Sequence, residues 1–306
     1  MTRAVVFAYH NVGARCLRVL RAHDVDVPLV VTHHDDPRET RWFERVADVA
    51  DDLGIAWIAP DDANAPEVVT RIAALRPEFV FSFYYRRMLG PALLGLPPRG
   101  ALNMHGSLLP RYRGRAPVNW AVLHGERTTG ATLHYMTPKP DAGDIVAQQA
   151  VPILPDDTAH EVFQKVTVAA EIVLDGVIDD LVAGRAPRRA QDVAQGSYFG
   201  GRTPADGRID WTKAAQAIHD LVRAVAPPYP GTFTSVGGRP ARVLATRVVD
   251  PIAPAGPPRL TAESGRLLAH CGGGGCLLVR ALEVDGASVD AAALRARLGP
   301  PPWPLV

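Results

Sequence analysis

The feature that most restricts how this chain can fold is a regular exchange, through its N-terminal third, of short apolar runs and helix-spaced segments. Arg3 to Tyr9 is an apolar run suited to a strand covered on both faces. Val12 to Ala22 then sets Cys16, Leu17, Val19 and Leu20 at helical spacing. Val27 to Thr32 reads as a second strand, Trp42 to Leu53 as a helix, and Ile55 to Ala59 as a third strand. Val68 to Leu75 is helical, Phe79 to Phe83 extended, and Ala101 to His105 a further strand behind the Pro97-Pro98-Arg99-Gly100 turn. Strand alternating with helix predicts a parallel sheet with helices on both faces, and ligands at the carboxyl ends of its strands.

Beyond that rhythm, Asn119 to His124 reads as a short helix, and Ala131 to Met136 and Ile145 to Val151 as strands. Pro155-Asp156-Asp157-Thr158 is good N-cap chemistry for one long helix running to Leu181. Residues 184–206 are rich in Gly, Pro, Arg and Gln without sustained periodicity, which predicts a linker. After one more helix (Ala214 to Val225), short β-rich pieces are punctuated by Gly237-Gly238 and Gly272 to Gly275. These predict a small antiparallel barrel or sandwich. The expected fold is therefore α/β: a Rossmann-like, mostly parallel sheet followed by a small OB-like barrel. The expected domains are 1–183, a linker at 184–206, and 207–306.

Several functions lose their footing at this level. A formal net charge of +1 gives no global reason to expect a nucleic-acid or membrane partner. The first turn, Ala8-Tyr9-His10-Asn11-Val12-Gly13, has one glycine where a dinucleotide fingerprint needs three. No GKS or GKT phosphate loop occurs, and no HExxH pair, so zinc hydrolysis has no support and no metal is expected. Cys16, Cys271 and Cys276 form no disulfide framework. The opening residues lack the pattern of a signal peptide, and no run approaches the roughly 18 apolar residues of a membrane span. A cytoplasmic protein is expected, with reduced thiols.

Chemistry concentrates in three places. In the strand Ala101 to His105, alternation puts Asn103 and His105 on one face, at the carboxyl end. An imidazole carries a proton near neutral pH, and an amide can donate to a developing oxyanion. The loop Asp141-Ala142-Gly143-Asp144 is tightened by Pro140 and Gly143, so a carboxylate in it is held in place. Beside an imidazole it would stabilise the imidazolium. Spacing alone leaves Asp141 and Asp144 both open, and an Asx turn satisfying local backbone is a third reading. Arg111, Arg113 and Arg115 surround Tyr112 and suit an anion, or simply a solvated loop.

These residues resemble the signature of the folate-dependent formyltransferase family. That signature is an Asn-x-His strand end, a Ser-Leu-Leu-Pro turn and a downstream Asp-x-Gly loop. Asn103, His105, Ser107-Leu108-Leu109-Pro110 and Asp141-Ala142-Gly143 match it in order. The resemblance implies that Asn103, His105 and Asp141 are the catalytic set. It further implies a site for 10-formyltetrahydrofolate built from Arg87, Met88, Leu89, Arg115 and the loop Thr137, Pro138, Lys139, Pro140 and Asp141.

Within the family the chain is similar to the formyltransferase half of a bifunctional enzyme. That enzyme acts on UDP-4-amino-4-deoxy-L-arabinose in lipid A modification and polymyxin resistance. The likeness lies in Val5-Val6-Phe7-Ala8-Tyr9-His10, Phe81-Ser82-Phe83-Tyr84-Tyr85-Arg86, Tyr112 to Pro117 with Asn119-Trp120, and Gly201-Arg202-Thr203-Pro204. It departs at Arg87, where the relative has a histidine. It implies a stand-alone enzyme that formylates a nucleotide-linked amino sugar. The alternative acceptor is methionyl-tRNA, whose formyltransferase shares the reacting set. That enzyme resembles a chain with a basic insertion near the second strand, where this one has His33-His34-Asp35-Asp36-Pro37. From Asp206 onward eleven Lys/Arg face eight Asp/Glu, which is no RNA-binding surface by itself. A folate hydrolase and a folate-binding module without catalysis are the remaining readings.

Overall fold

The computed structural model describes residues 1–37 and 41–306. Contacts divide them into two compact units: 1–117 with 128–152 and 163–200, and 118–127 with 153–162 and 201–306.

The first unit is built on a seven-stranded sheet. Its strands are β1 (Arg3–Ala8), β2 (Asp26–Val31), β3 (Trp57–Ile58), β4 (Phe79–Phe83) and β5 (Ala101–His105). After the two-residue β6 (Arg113–Gly114) come β7 (Thr128–Tyr135) and β8 (Ile145–Pro152). The order is β3-β2-β1-β4-β5-β7-β8; β1 to β5 are parallel, while β7 and β8 run antiparallel. Apolar strands form because both faces are covered. Val5, Phe7, Leu29, Val31 and Val80 share a core with Ile72 and Leu93. On β4, the period-two ring series Phe79, Phe81 and Phe83 stacks at 5.6 and 5.5 Å. The strand order reverses between β1 and β4, so the β1, β4 and β5 ends open on the crevice where such sheets place ligands.

The helix His10–Ala22 buries Val12, Cys16, Leu17, Val19 and Leu20. Gly13 serves packing here: a Cβ on it would sit 3.0 Å from the Ala8 side chain. The helix expected from Trp42 starts only at Val46 and runs to Asp52. Trp42 and Phe43 instead set their rings 4.5 and 4.0 Å from His10. The expected strand at Ile55 shrinks to β3, an edge strand in register with Val30 and Val31. The long helix expected to Leu181 is two, Ala159–Asp175 and Ile178–Val182, broken where Val177 leaves helical geometry after Gly176. The segment expected as a linker makes backbone bonds: Arg189 and Ile145 exchange both at 2.9 and 2.7 Å. Further along, β9 (Tyr198–Phe199) pairs with β6.

The second unit carries β10 (Thr234–Val236), β11 (Arg239–Asp250), β12 (Arg259–Glu263), β13 (Arg266–His270), β14 (Cys276–Val284), β15 (Ala287–Ser288) and β16 (Trp303–Pro304). Its sheet runs β10-β11-β14-β13-β12-β16. A bridge between Val236 and Leu305, with Ser235 and Val306 exchanging backbone bonds, nearly closes it into an antiparallel barrel. The helix Ala215–Val225 lays Ile218 and Val222 into a core with Trp211, Leu260, Leu277 and Trp303. All three cysteines are free and buried. Burial pushes the Cys16 thiol far up, that of Cys271 up to about 12, and that of Cys276 upward. Among the described residues no helix is long and apolar enough to cross a membrane.

Candidate active site

The site begins with β5. Leu102 and Met104 point into the core, so alternation turns Asn103 and His105 to the opposite face. The antiparallel neighbour β7 places His134 directly opposite Asn103, and Thr132 opposite His105. Cross-strand partners share a face. Asn103 Nδ2 stands 3.2 Å from His134 Nε2, while His134 Nδ1 stands 2.8 Å from the Tyr135 carbonyl. A carbonyl only accepts, so Nδ1 carries a hydrogen, and Nε2 faces both Asn103 Nδ2 and Asp141 Oδ1. An Nδ2 that gives one hydrogen to this ring has its second to offer a ligand.

Past β7 the chain turns through Thr137 to Gly143. Asp141 itself is left-handed at φ 50°, and a Cβ on Gly143 would collide with the Tyr135 carbonyl oxygen. The turn delivers the Asp141 carboxylate between two imidazoles. Oδ1 lies 3.6 Å from His105 Nδ1 and 3.5 Å from His134 Nε2. Oδ2 accepts the Gly114 N–H at 2.8 Å. Burial alone would raise this carboxyl, but His105, His134 and the Gly114 amide together hold it well below the usual carboxylate range. Asp144, three residues on, instead pairs with Arg188 at 2.8 Å on the surface.

His105 is 6% exposed, and its Nε2 lies 2.8 Å from the Tyr112 carbonyl, to which it donates. The basic atom of the neutral ring is therefore Nδ1, the one facing Asp141. Burial pulls this imidazole below its ordinary value; the Asp141 charge and the Tyr112 carbonyl oppose the fall, and His134 adds to it. Burial thus favours the uncharged ring, whose Nδ1 can accept a proton. The Ser107 to Pro110 turn that carries the chain to Tyr112 is pinned from beneath. Ser107 Oγ donates to the Arg111 carbonyl at 2.6 Å, and Thr132 Oγ1 donates to the Ser107 carbonyl at 2.6 Å.

The other expected residues fall in three groups. Thr137, Pro138 and Lys139 are exposed beside Asp141, with Pro140 half-buried and the Thr137 hydroxyl donating to the Lys139 carbonyl. Arg87 and Met88 are exposed on the chain leaving β4, one strand away from β5 at the same sheet end. Leu89 is buried among the core residues, so only its backbone can meet a ligand. Arg115 is exposed, whereas Arg113 is buried and reaches the Val193 carbonyl at 3.4 Å. Asn64 fixes the β4 exit, donating to the Met88 carbonyl at 3.0 Å and accepting the Gly90 N–H at 2.6 Å. His33, stacked on Tyr85 at 4.1 Å, accepts the Arg86 N–H. Burial and the nearby Arg87 and Arg86 bring it down to about 4.

Sequence reasoning missed His134, Asn64 and the role of His33. For His134 a signal existed: a histidine in an apolar strand feeding the Asp141 loop. Among the described residues, no group of three or more His, Cys, Asp or Glu side chains is placed to hold a metal ion.

Comparison with known proteins adds the family context. The formyl transferase pattern matches residues 4–178, and the formyl transferase C-terminal domain pattern matches residues 202–296. Among solved structures, the chain resembles an N-formyltransferase from Helicobacter canadensis in complex with folinic acid and dTDP-3-aminofucose. The TM-score is 0.71 at 18% identity, covering 91% of this chain and 99% of that one. It also resembles WlaRD, a sugar 3N-formyltransferase studied with dTDP and 5-N-formyl-THF, with TM-score 0.69 at 17% identity over 95% and 98% of the two chains. A sugar N-formyltransferase from a Shewanella species gives 0.62 at 19% identity, over 76% and 92%. At these identities the likeness is one of fold.

Proposed function

The chain belongs to the formyl transferase family and is a folate-dependent formyltransferase, and from that premise we propose that it formylates the amine of a nucleotide-linked amino sugar. The observation that carries the proposal is the Asn103–His134–Asp141–His105 arrangement at the carboxyl end of β5. In it an amide, a buried imidazole and a fixed carboxylate converge on one place.

10-Formyltetrahydrofolate supplies the formyl carbon, to which the acceptor nitrogen bonds as the bond to the folate nitrogen breaks. The chain's own residues do the rest. The second Nδ2 hydrogen of Asn103 stabilises negative charge building on the formyl oxygen. His105 Nδ1 takes the proton from the attacking amine and passes it to the departing nitrogen. Asp141 stabilises the imidazolium in between, and the Tyr112 carbonyl keeps the ring from rotating. Arg87, Met88, the Leu89 backbone, Arg115 and the loop from Thr137 to Pro140 hold the folate. The catalytic domain is residues 1–183, with 207–306 as an accessory barrel. Three unpaired thiols suit a reducing, cytoplasmic compartment.

Support for a sugar acceptor comes from two neighbours of similar fold, one in complex with dTDP-3-aminofucose and one in the presence of dTDP. The finer choice is UDP-4-amino-4-deoxy-L-arabinose, which would place the enzyme in lipid A modification. The test is to incubate the protein with 10-formyltetrahydrofolate and, in turn, this sugar, a dTDP-3-amino sugar and methionyl-tRNA, and to identify the product by mass spectrometry. Formyl on a sugar nucleotide is the expected result. Formyl on tRNA alone would move the enzyme to translation initiation.

A further inference from the structure

The two walls that hold the reacting groups are not self-supporting. One is the Asp141 turn; the other is the Tyr112–Gly114 stretch, which gives a carbonyl to His105 and an N–H to Asp141. Both lean on the same later piece of chain, residues 188–199, the run whose composition suggested a passive linker.

Gln191 makes the first connection. Its Nε2 lies 3.2 Å from the Asp141 carbonyl and 2.5 Å from that of Gly143. Both partners are acceptors, so the NH2 end must face them, and its two hydrogens serve one carbonyl each. Next to it, Arg189 and Ile145 exchange backbone bonds, fixing where the turn rejoins β8. Ser197 makes the second connection. Its Oγ accepts the Tyr112 N–H at 2.8 Å, and its carbonyl accepts the Arg113 N–H at 3.0 Å. The pairing continues through Phe199, whose carbonyl accepts the Arg115 N–H at 3.0 Å. Gly114 lets this ribbon close, since a Cβ there would overlap the Phe199 carbonyl oxygen.

The geometry points to residues 188–199 as a brace that sets the distance between Asp141 and His105, with Gln191 and Ser197 as its positioning residues. The inference rests on the reading of Asn103, His105 and Asp141 as the reacting set. Its physical content is that the 3.6 Å separation of Asp141 from His105 is imposed from outside. At that length no hydrogen bond draws the pair together. The turn therefore stays where its backbone is tied, and Gln191 ties the carbonyl of Asp141 itself. Facing the carboxylate are His105 from β5, His134 from β7 and the Gly114 amide, while the Arg188–Asp144 pair occupies the outer side of the turn.

The test compares Gln191→Leu, which keeps the bulk and removes both donors, with Gln191→Asn, which keeps the donors on a shorter arm. Gln191→Leu should lower kcat on the order of 10- to 100-fold, as a small misplacement of reacting groups does. KM for the amine acceptor should stay unchanged. Gln191→Asn should lie between it and the wild type, and Ser197→Ala should lower kcat in the same sense through the other wall. The ring titration of His105, followed by NMR, should move to lower pH in Gln191→Leu as the carboxylate drifts away. That readout needs no acceptor. Arg185→Ala, in the segment just before the brace and paired with Asp180, should change none of these.

Wild-type kcat in Gln191→Leu would overturn the brace. So would a loss of kcat and thermal stability with the His105 titration unmoved. His105→Ala assayed in parallel separates the two levels. Near-normal turnover there overturns the chemical reading itself, whereas an inactive His105→Ala beside a normal Gln191→Leu overturns the brace alone.

Discussion

Among the described residues, each compact unit holds a buried cluster of histidine and carboxylate, and the two differ in how their charges are partnered. In the barrel unit, His219 uses both ring nitrogens, Nδ1 with the Thr246 hydroxyl at 2.9 Å and Nε2 with the Pro155 carbonyl at 3.0 Å. Beside it, Arg223 and Asp220 form an ion pair at 2.7 Å with both side chains almost fully buried. Gln216 adds a donor to Asp220, and the Asp157 carbonyl accepts from Arg223. The charged pair there is closed at short distance, and the longer contact, 3.7 Å from His219 Nε2 to Asp156, lies outside it. In the sheet unit, Asp141 stands 3.5 and 3.6 Å from its two imidazoles, beyond ordinary hydrogen-bond reach. A closed network stabilises a structure, while one with slack keeps a proton site and a donor for something not yet there.

This contrast breaks if the two clusters respond alike to mutation. The largest effect belongs to the slack cluster and falls on rate: His105→Ala, Asn103→Ala and Asp141→Ala should each cut turnover roughly 100- to 10,000-fold. Thermal melting should move little in the His105 and Asn103 variants, and single-turnover kinetics beside calorimetry would read both. The closed cluster should behave in reverse. Asp220→Ala strands the Arg223 charge and should cost about 3–5 kcal/mol of stability in denaturant titration. Turnover per folded molecule should stay unchanged.

Acid sharpens the comparison. Because Asp141 is held below its ordinary value, it is still ionised in the folded protein where the unfolded chain protonates, near pH ~3.9. Its stabilisation is fully present above that pH and is lost as pH falls through the folded value. The gap in melting temperature between wild type and Asp141→Asn should thus be widest near neutrality and close towards strong acid. A gap independent of pH would mean that the carboxylate is not a charged partner of the imidazoles. The smallest effect is reserved for Asp144→Asn. It removes an exposed pair with Arg188 worth at most about 1 kcal/mol, and activity should barely change.

How much of this was legible in the sequence depended on where each residue's partners lie. The strands at Phe79–Phe83 and Ala101–His105 match expectation residue for residue: the first is apolar apart from Ser82, and the second is cut out by Gly100 and Gly106. Alternation likewise put Asn103 and His105 on one face. Barrel strand β12 and the helix Ala291–Leu298 went unread, since Arg259, Thr261 and Glu263 dilute the one and small and charged residues the other. His134 could be linked to Asn103 only through an antiparallel register between strands far apart in sequence. Choosing Asp141 over Asp144 needed the fold or the family resemblance, since both share one short loop. The run 184–206 looked structureless because its bonds go to backbone elsewhere, which leaves no periodic signature.

The buried thiols give the protein built-in clocks. A thiolate, not a thiol, attacks an alkylating reagent, and these sulfurs are both shielded and pushed towards the thiol form. Labelling must therefore wait for the surrounding structure to open. Cys16 keeps time for the sheet unit, and Cys271 and Cys276 keep time for the barrel. Mass-resolved alkylation of the unmodified protein would date the opening of each unit separately, with no engineered label.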